Sequence, residues 1–106
     1  MLIHNINDFK NGWIIGDFDP SLFKSKNFEC GIKYIESGYV NPSHYHSESI
    51  EINVVISGMV KFNNKIYEKN SIVIIEKNEC SLFECIESCV LVVIRDNSSK
   101  FDKHEC

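Results

Sequence analysis

Apolar and polar residues alternate along several short stretches of this chain, and such alternation is typical of β-strands. In the stretch FECGIKYIE, residues 28–36, the side chains of Phe28, Cys30, Ile32 and Tyr34 share one side and the charged residues Glu29 and Lys33 lie on the other. Further β-rich runs begin at residue 39; in order they are YVNPSHYH, IEINVVIS, MVKF, KIY, SIVII, SLFECI and CVLVVIR. The pattern predicts a fold built from short strands.

Turn residues separate these runs. Ser57-Gly58 and Asn63-Asn64 each stand between two β-rich runs, and glycine and asparagine tolerate the positive φ that a tight hairpin requires. Short strands joined by such turns indicate an antiparallel sandwich or barrel. We therefore predict an all-β fold.

The segment before the first strand carries the one convincing helical signal. In DPSLFK, Asp19 can cap a helix and Pro20 can take its first position, so one short helical turn is expected there. No repeat or linker divides the 106 residues, which favours one domain. We expect a core over residues about 28–95, an N-terminal extension over 1–27 and a C-terminal tail over 96–106.

Composition and charge narrow the class of protein. Apolar residues make up 43% of the chain, which argues against disorder. The 11 basic and 15 acidic residues are mixed along the chain with a net charge of −4, so no basic stripe predicts nucleic-acid binding. No apolar run approaches the ~18–20 residues of a membrane span, and MLIHNINDFK lacks the features of a signal peptide. These features predict a cytoplasmic protein with neither a membrane nor a nucleic acid as partner.

The five cysteines are odd in number and show no C-x-x-C spacing, which disfavours a disulfide framework or a structural zinc site. We expect Cys30, Cys80, Cys85 and Cys89 to be small buried apolar residues and Cys106 to carry an exposed thiol.

The stretch HYHSESIE contains the candidate chemistry. On a strand, His44 and His46 point to the same face, and two imidazoles on one pleat can chelate a transition metal. Glu51 follows a polar stretch and opens the next strand, with Asn53 on its own face. A carboxylate facing the interior of a barrel is costly to bury, and pairing with a cation offsets this cost. An exposed, purely structural His-Tyr-His edge is the alternative interpretation.

The wider spacing strengthens the metal hypothesis. Gly38, five residues, His44-Tyr45-His46, four residues, Glu51, six residues and Gly58 match the pattern G-x5-H-x-H-x3,4-E-x6-G. This is the first motif of the cupin superfamily, and the chain resembles that superfamily over roughly residues 28–95. The resemblance implies a jelly-roll β-barrel of six to eight antiparallel strands with a metal at its mouth. It also implies a common tendency to dimerise.

The second cupin motif, G-x5-P-x-G-x2-H-x3-N, is degenerate in this chain. The corresponding stretch is NSIVIIEKNECSLFEC, in which Asn70 and Asn78 replace the two glycines as plausible turn residues. Ser81 stands where the family has its second-motif histidine, and Cys85 stands where it has asparagine. The resemblance therefore leaves three metal ligands, His44, His46 and Glu51, rather than four.

A closer likeness concerns the ends of the chain. The opening GWIIGDFDPS and the pair Asp102-Lys103 look like those of small, mostly uncharacterised cupin-like proteins of bacteria and phages. This likeness implies no activity.

Two histidines and one carboxylate suit several ions, among them Fe, Mn, Ni and Zn. The candidate pocket residues around the ion are Ser81, Tyr34, Asn53, Phe83 and Cys85. Ser81 is expected to hold a metal-bound water rather than to coordinate, and Cys85 to fill the barrel.

Three functions remain open. The first is a metal-dependent enzyme of the small cupin type, an oxygenase, isomerase or lyase acting on a small polar substrate, although no general base is evident. The second is a non-catalytic module that binds a small ligand such as a sugar or carboxylate. The third is a cupin fold with a weak or empty metal site. Whether the protein is an enzyme at all is not decided by the sequence, because fold resemblance predicts a site more firmly than a reaction.

Dimerisation is also expected. If Glu51 faces inward, Ile50, Ile52, Val54 and Ile56 face outward and form an apolar stripe. Exposed apolar patches mark interfaces, so either the N-terminal segment or a second chain is expected to cover the stripe, and a homodimer is favoured.

Overall fold

The computed structural model describes all residues from 1 to 106, which form eight strands and one short 3-10 helix. Every pair of hydrogen-bonded strands is antiparallel, and the strands belong to one curled sheet. The prediction of a nearly all-β antiparallel barrel is confirmed. The strands are β1 (Trp13–Ile15), β2 (Glu29–Ile35), β3 (Val40–His46), β4 (Glu51–Phe62), β5 (Lys65–Glu68), β6 (Ile72–Ile75), β7 (Ser81–Arg95) and β8 (Lys103–Glu105).

The one helical turn lies near the N-terminus as predicted, but at Ile6–Asp8 rather than at DPSLFK. Asn5 caps it: its side chain accepts a hydrogen bond from the Asn7 amide, and Asp8 accepts one from the Asn5 amide, both at 2.9 Å. DPSLFK forms bends instead, because the Leu22 amide donates to the Ile14 carbonyl of β1 at 2.7 Å. No helical segment has the length and apolar character of a membrane span.

The long strands β4 and β7 form the centre of the sheet. Strand β7 pairs with β4 on one side and with β2 and β3 on the other. The turn expected at Ser57-Gly58 is instead an irregularity within β4, where Gly58 has a φ of 83° and an added Cβ would lie 2.3 Å from the Ser88 carbonyl oxygen. Asn63-Asn64 does form the predicted hairpin turn between β4 and β5, with φ values of 47° and 71°.

The barrel interior has an apolar end and a polar end. The buried apolar side chains form one cluster of nine: Val55, Val60, Phe62, Ile75, Phe83, Cys85, Cys89, Leu91 and Val93. The buried polar residues near the other end include His44, His46, Asn53 and Ser81. The cavity of the barrel extends from these polar residues to the apolar cluster, because Phe62, Phe83, Leu91 and Val93 also line it.

Two of the five cysteines are paired, so the expectation of free thiols is wrong for Cys80 and Cys106, which form a disulfide. The short strand β8, which the sequence pattern does not predict, explains this pairing. His44 of β3 is in register with Ser81 on one side and with Glu105 on the other. Cys80 precedes Ser81 and Cys106 follows Glu105, so this register brings the two cysteines together. Cys85 and Cys89 are buried, as expected, and Cys30 is half-buried.

Candidate metal and ligand site

Strand β3 positions the two histidines. His44 and His46 both face the interior and are only 6% and 3% exposed. Their ring centroids are 5.1 Å apart, and the rings are nearly perpendicular. Strand alternation therefore brings the two imidazoles together at the polar end of the barrel, as the spacing predicted.

Each imidazole is fixed through its Nδ1 atom. His44 Nδ1 donates to the Pro42 carbonyl at 2.9 Å, and His46 Nδ1 donates to Asp102 Oδ2 at 2.8 Å. Since both partners can only accept, each Nδ1 carries the hydrogen and each Nε2 retains its lone pair. This tautomer is the one that a metal ligand binding through Nε2 requires.

Asp102 anchors the residues that follow β3. Its carboxylate is 3% exposed and accepts hydrogen bonds from the Ser49 hydroxyl and the Glu48 amide as well as from His46. Burial raises the pKa of Asp102, but the Ser49 and Glu48 hydrogen bonds and the contact with His46 outweigh burial and hold the pKa below its ordinary value. A carboxylate from the C-terminal segment thus orients a histidine of the site.

Glu51 opens β4 beside His46. Its Oε1 atom lies 3.7 Å from His46 Nε2, and its Oε2 atom accepts a hydrogen bond from Asn53 Nδ2 at 3.2 Å. Glu51 and Asn53 share the inward face of β4, so the strand delivers both side chains to the cavity.

Arg95, at the end of β7, is a cation that the sequence analysis did not place in the site. Its Nη1 atom lies 3.1 Å from Nε2 and 3.3 Å from Nδ1 of His46, and its Nη2 atom pairs with Glu29. Because Nδ1 of His46 donates to Asp102, Nε2 is the ring nitrogen that accepts a hydrogen bond from Arg95. Burial, followed by the charge of Arg95, lowers the pKa of His46 against the opposing effects of Glu51 and Asp102.

These side chains line a cavity of about 810 Å³. Of the candidate pocket residues, Asn53, Ser81, Phe83 and Tyr34 line it, whereas Cys85 lies in the apolar cluster. Ser81 is 3% exposed and is the register partner of His44. Tyr34 lines the cavity but is 69% exposed, so it lies where the cavity meets solvent.

The donor chemistry fits a divalent transition metal, although the three ligands are not assembled as they stand. Two donors each about 2.1 Å from one ion are at most roughly 4 Å apart, so the 3.7 Å between His46 Nε2 and Glu51 Oε1 lets both reach the same ion. No group of three His, Cys, Asp or Glu side chains in the chain is spaced to hold an ion without rearrangement. The three-ligand site of His44, His46 and Glu51 stays a prediction.

Asp102 and Arg95 are the contributors that the motif could not identify. Asp102 is 56 positions from His46, and only the pairing of β8 with β3 brings the two together. Arg95 ends a run of apolar residues, and its inward direction follows from the register Glu51↔Arg95 and Glu29↔Arg95. The one sequence signal for Asp102 is its place in the terminal pair Asp102-Lys103.

Comparisons with known proteins identify the fold. No protein-family model matches the chain, and no curated protein matches it. Among solved structures, it is similar to the DMSP lyase DddQ from Ruegeria pomeroyi, with a TM-score of 0.70 and 13% identity over 88% of this chain. The matched region spans 49% of DddQ, so this chain covers about half of that protein.

Two smaller proteins are also similar. An uncharacterised conserved protein with a double-stranded β-helix domain from Klebsiella pneumoniae gives a TM-score of 0.67 and 14% identity, over 92% of this chain and 85% of its own. A cupin-2 domain protein from Shewanella frigidimarina gives a TM-score of 0.56 and 16% identity, over 69% of this chain and 74% of its own. At these identities the likeness shows the fold. The resemblance carried by the first motif is thereby confirmed at this level: the chain is a small protein of the cupin fold.

Proposed function

We propose that this protein is a small-molecule enzyme in which His44, His46 and Glu51 hold a divalent transition metal, and in which a small polar substrate enters the cavity. One observation carries the proposal: two buried imidazoles, each with Nδ1 bound to an acceptor, leave Nε2 without a hydrogen at a cavity that also holds a carboxylate. A metal at His46 would displace Arg95 Nη1, which lies 3.1 Å from Nε2. Fe, Mn, Ni and Zn all suit this donor set.

The cost of this arrangement supports a functional role. Polar side chains buried in a barrel interior lower stability unless they are paired, and apolar side chains would fill the same space at less cost. A bound metal would supply Lewis-acid chemistry. Asp102 holds the His46 ring in place, while Asn53 orients Glu51 and Ser81 presents a hydroxyl beside His44.

The similar structures are consistent with an enzyme. DddQ is named a DMSP lyase, so at least one protein of similar fold is an enzyme. An oxygenase, isomerase or lyase reaction remains the proposed class for this chain.

A non-catalytic binding module is the second candidate, and the position of Arg95 favours it. The guanidinium is within hydrogen-bonding distance of His46 Nε2, and the three ligands are not preassembled. In this candidate function, the positive charge of Arg95 compensates the negative charge of Glu51, and the metal site is weak or empty. In this case the cavity binds a small sugar or carboxylate without turnover.

The cytoplasm remains the proposed location. A reducing compartment would keep Cys80 and Cys106 as thiols, because disulfides are rare in the cytosol. Mass measurement of the alkylated protein from freshly lysed cells decides between the two states of this pair.

The metal content of the protein tests the main proposal. We expect about one transition-metal ion per chain in protein purified without chelators or nickel resin, and loss of this ion in His46→Ala. His4→Ala is the matched control, because His4 is exposed and does not line the cavity. Circular dichroism establishes that each variant is folded.

Two results would overturn the proposal. The first is a folded wild-type protein that takes up none of Fe, Mn, Ni or Zn when each is supplied in excess. The second is a folded His46→Ala variant that retains the metal content of the wild type. Either result leaves the binding module as the better account.

A further inference from the structure

The single tryptophan forms a flat surface in the cavity wall. Trp13 of β1 is in register with Gly31 of β2, and a Cβ added at Gly31 would lie 2.8 Å from Cε3 of the indole. Real Cβ atoms do not approach an atom so closely, so the glycine makes room for the ring. The ring lines the cavity together with Ile32 and Lys33 of β2.

Two cations contact this one indole. Lys33 Nζ lies 4.0 Å from the ring centroid, and Arg95 Cζ lies 4.9 Å from it. Each contact is favourable by itself, because the face of an indole attracts a cation. Together they bring two like charges to the same part of the cavity wall.

Of these two cations, only Arg95 forms an ion pair. Arg95 pairs with Glu29, whose other carboxylate oxygen accepts from the Ser98 hydroxyl at 3.0 Å. Lys33 forms no ion pair with any carboxylate of the chain, and its Nζ atom donates to the neutral Asn11 carbonyl at 2.6 Å.

The pKa of Lys33 reflects this lack of an ion-pair partner. Burial and then the charge of Arg95 lower the pKa of Lys33 to about 8, although Glu29 and Glu51 act in the opposite direction. An anion bound next to Lys33 would remove this penalty on the charged ammonium.

We propose that Lys33 and Arg95, held against the indole of Trp13, bind the carboxylate of a small organic acid that occupies the cavity. The inference deepens the proposed function by naming the ligand class of the same site: the charged end lies at Trp13 and the remainder extends toward His44, His46 and Glu51. A carboxylate suits this place, because the Lys33 ammonium is a charged donor and the guanidinium of Arg95 on the same indole adds a second positive charge.

The unique tryptophan reports on this binding directly. Full-length protein, stripped of metal with a chelator and then desalted, is titrated with propionate and with succinate at neutral pH while Trp13 fluorescence is followed. Calorimetry gives an independent dissociation constant. We expect a saturable change with the two carboxylates, and none with succinamide, which has a similar shape without charge.

Variants separate the roles of the cations. Lys33→Met is expected to weaken carboxylate binding about tenfold or more, since it removes a charged donor, whereas Lys33→Arg retains most of the affinity. Lys69→Met, an exposed lysine that does not line the cavity, is the matched control and binds as the wild type does. Lys33 is preferred to Arg95 for this test, because Arg95 also pairs with Glu29 and contacts His46.

Three outcomes overturn the inference: no saturable response to either carboxylate, unchanged binding by Lys33→Met, or tight binding of inorganic phosphate with no binding of carboxylates. Because the protein is free of metal in this experiment, the result does not depend on the metal analysis described above. Carboxylate binding through Lys33 without any metal uptake would reject the metal enzyme and retain this inference.

Discussion

His46 and Glu51 each make two different contacts through two different polar atoms. His46 donates from Nδ1 to Asp102, and its Nε2 lies near Arg95 and Glu51. Glu51 accepts from Asn53 at Oε2, and its Oε1 lies 3.7 Å from His46 Nε2. Because one polar atom of each side chain is bound within the protein, the other is held in a defined direction. Substitution of a residue that is hydrogen-bonded to a predicted metal ligand therefore tests how the orientation of that ligand affects metal binding, while the ligand itself is retained.

Asp102→Asn is the first such test. An asparagine at this position offers only one acceptor oxygen to His46, Ser49 and the Glu48 amide, so the hold on the imidazole is weakened. We expect metal affinity to fall about 10- to 100-fold, as is common when a supporting carboxylate is altered. Competition titration with a chromophoric zinc chelator measures this change.

Asp96→Asn controls for the loss of a carboxylate that caps a neighbouring loop. Asp96 accepts from the Ile50 amide at 2.8 Å and does not contact the histidines. If Asp96→Asn and Asp102→Asn lower metal affinity equally, the orienting role of Asp102 is refuted.

The pH dependence of carboxylate binding tests Lys33. The charged ammonium binds the anion, and the pKa of Lys33 in the free protein is about 8, below the ordinary value of 10.5. The affinity for the carboxylate is therefore highest below about pH 7, where Lys33 is protonated. It decreases as the pH rises through about 8, well before an ordinary lysine loses its charge. The charged groups that face Lys33 are Arg95, Glu29 and Glu51.

Isothermal titration with succinate at several pH values between about 6.5 and 9.5 measures this dependence. In Lys33→Arg the guanidinium keeps its charge over the whole range, so the decrease disappears. A wild-type affinity that stays constant to pH 9.5 would contradict the prediction.

Individual strands were predictable where alternation or turn chemistry is strong. Strand β3 and the Asn63-Asn64 hairpin follow from the sequence, and the inward positions of β4 follow from its alternation as far as Val55. Beyond Val55 the irregularity at Gly58 shifts the register, and a turn residue within a strand has the same appearance in the sequence as one between strands. The three-residue strands β1 and β8 carry too few positions for any period, so Trp13 and Asp102 could not be placed from pattern alone.

Strand β8 is joined to the rest of the sheet by one strand pairing and one disulfide. It makes one short pairing with β3, and Cys106 next to it is joined to Cys80 across a separation of 26 residues. Closing a loop of this length stabilises the folded state by roughly 3–4 kcal/mol in the chain-entropy account. We therefore expect Cys106→Ser to lower the free energy of unfolding by up to this amount, as measured by urea titration.

The free cysteine Cys30 provides the control, since it is half-buried and unpaired. Cys30→Ser is expected to cost less than about 1 kcal/mol. A Cys106→Ser variant as stable as the wild type in non-reducing buffer would show that the link adds nothing to the fold.

The molecule as a whole presents an apolar outer face on β6, β4 and β7. Ile52 pairs with Ile74 and with Ile94, so these residues share the side opposite to Asn53. Ile72 and Ile74 are 64% and 53% exposed, so nothing in the chain covers this part of the face. We propose that a second copy covers it through a two-fold interface, in line with the tendency of such patches to mark contacts.

Light scattering at micromolar concentration is expected to give the mass of a dimer. The double substitution Ile72→Lys and Ile74→Lys should shift the mass to that of a monomer, because two buried charges would face each other across the interface. Ile66→Lys, at an exposed isoleucine on β5 away from this face, should leave the dimer intact. A monomeric wild type would exclude this interface.

The disulfide also changes the covalent topology of the chain. Residues 80–106 form a closed ring that contains Arg95 and Asp102, two of the side chains around His46. The exposed segment near Lys100 and Phe101 lies inside this ring, so one proteolytic cut there opens the ring without separating the pieces. The fragment that carries Asp102 would remain attached through Cys106 and would leave only on reduction, so the oxidised protein can be nicked at this loop and still keep its site together.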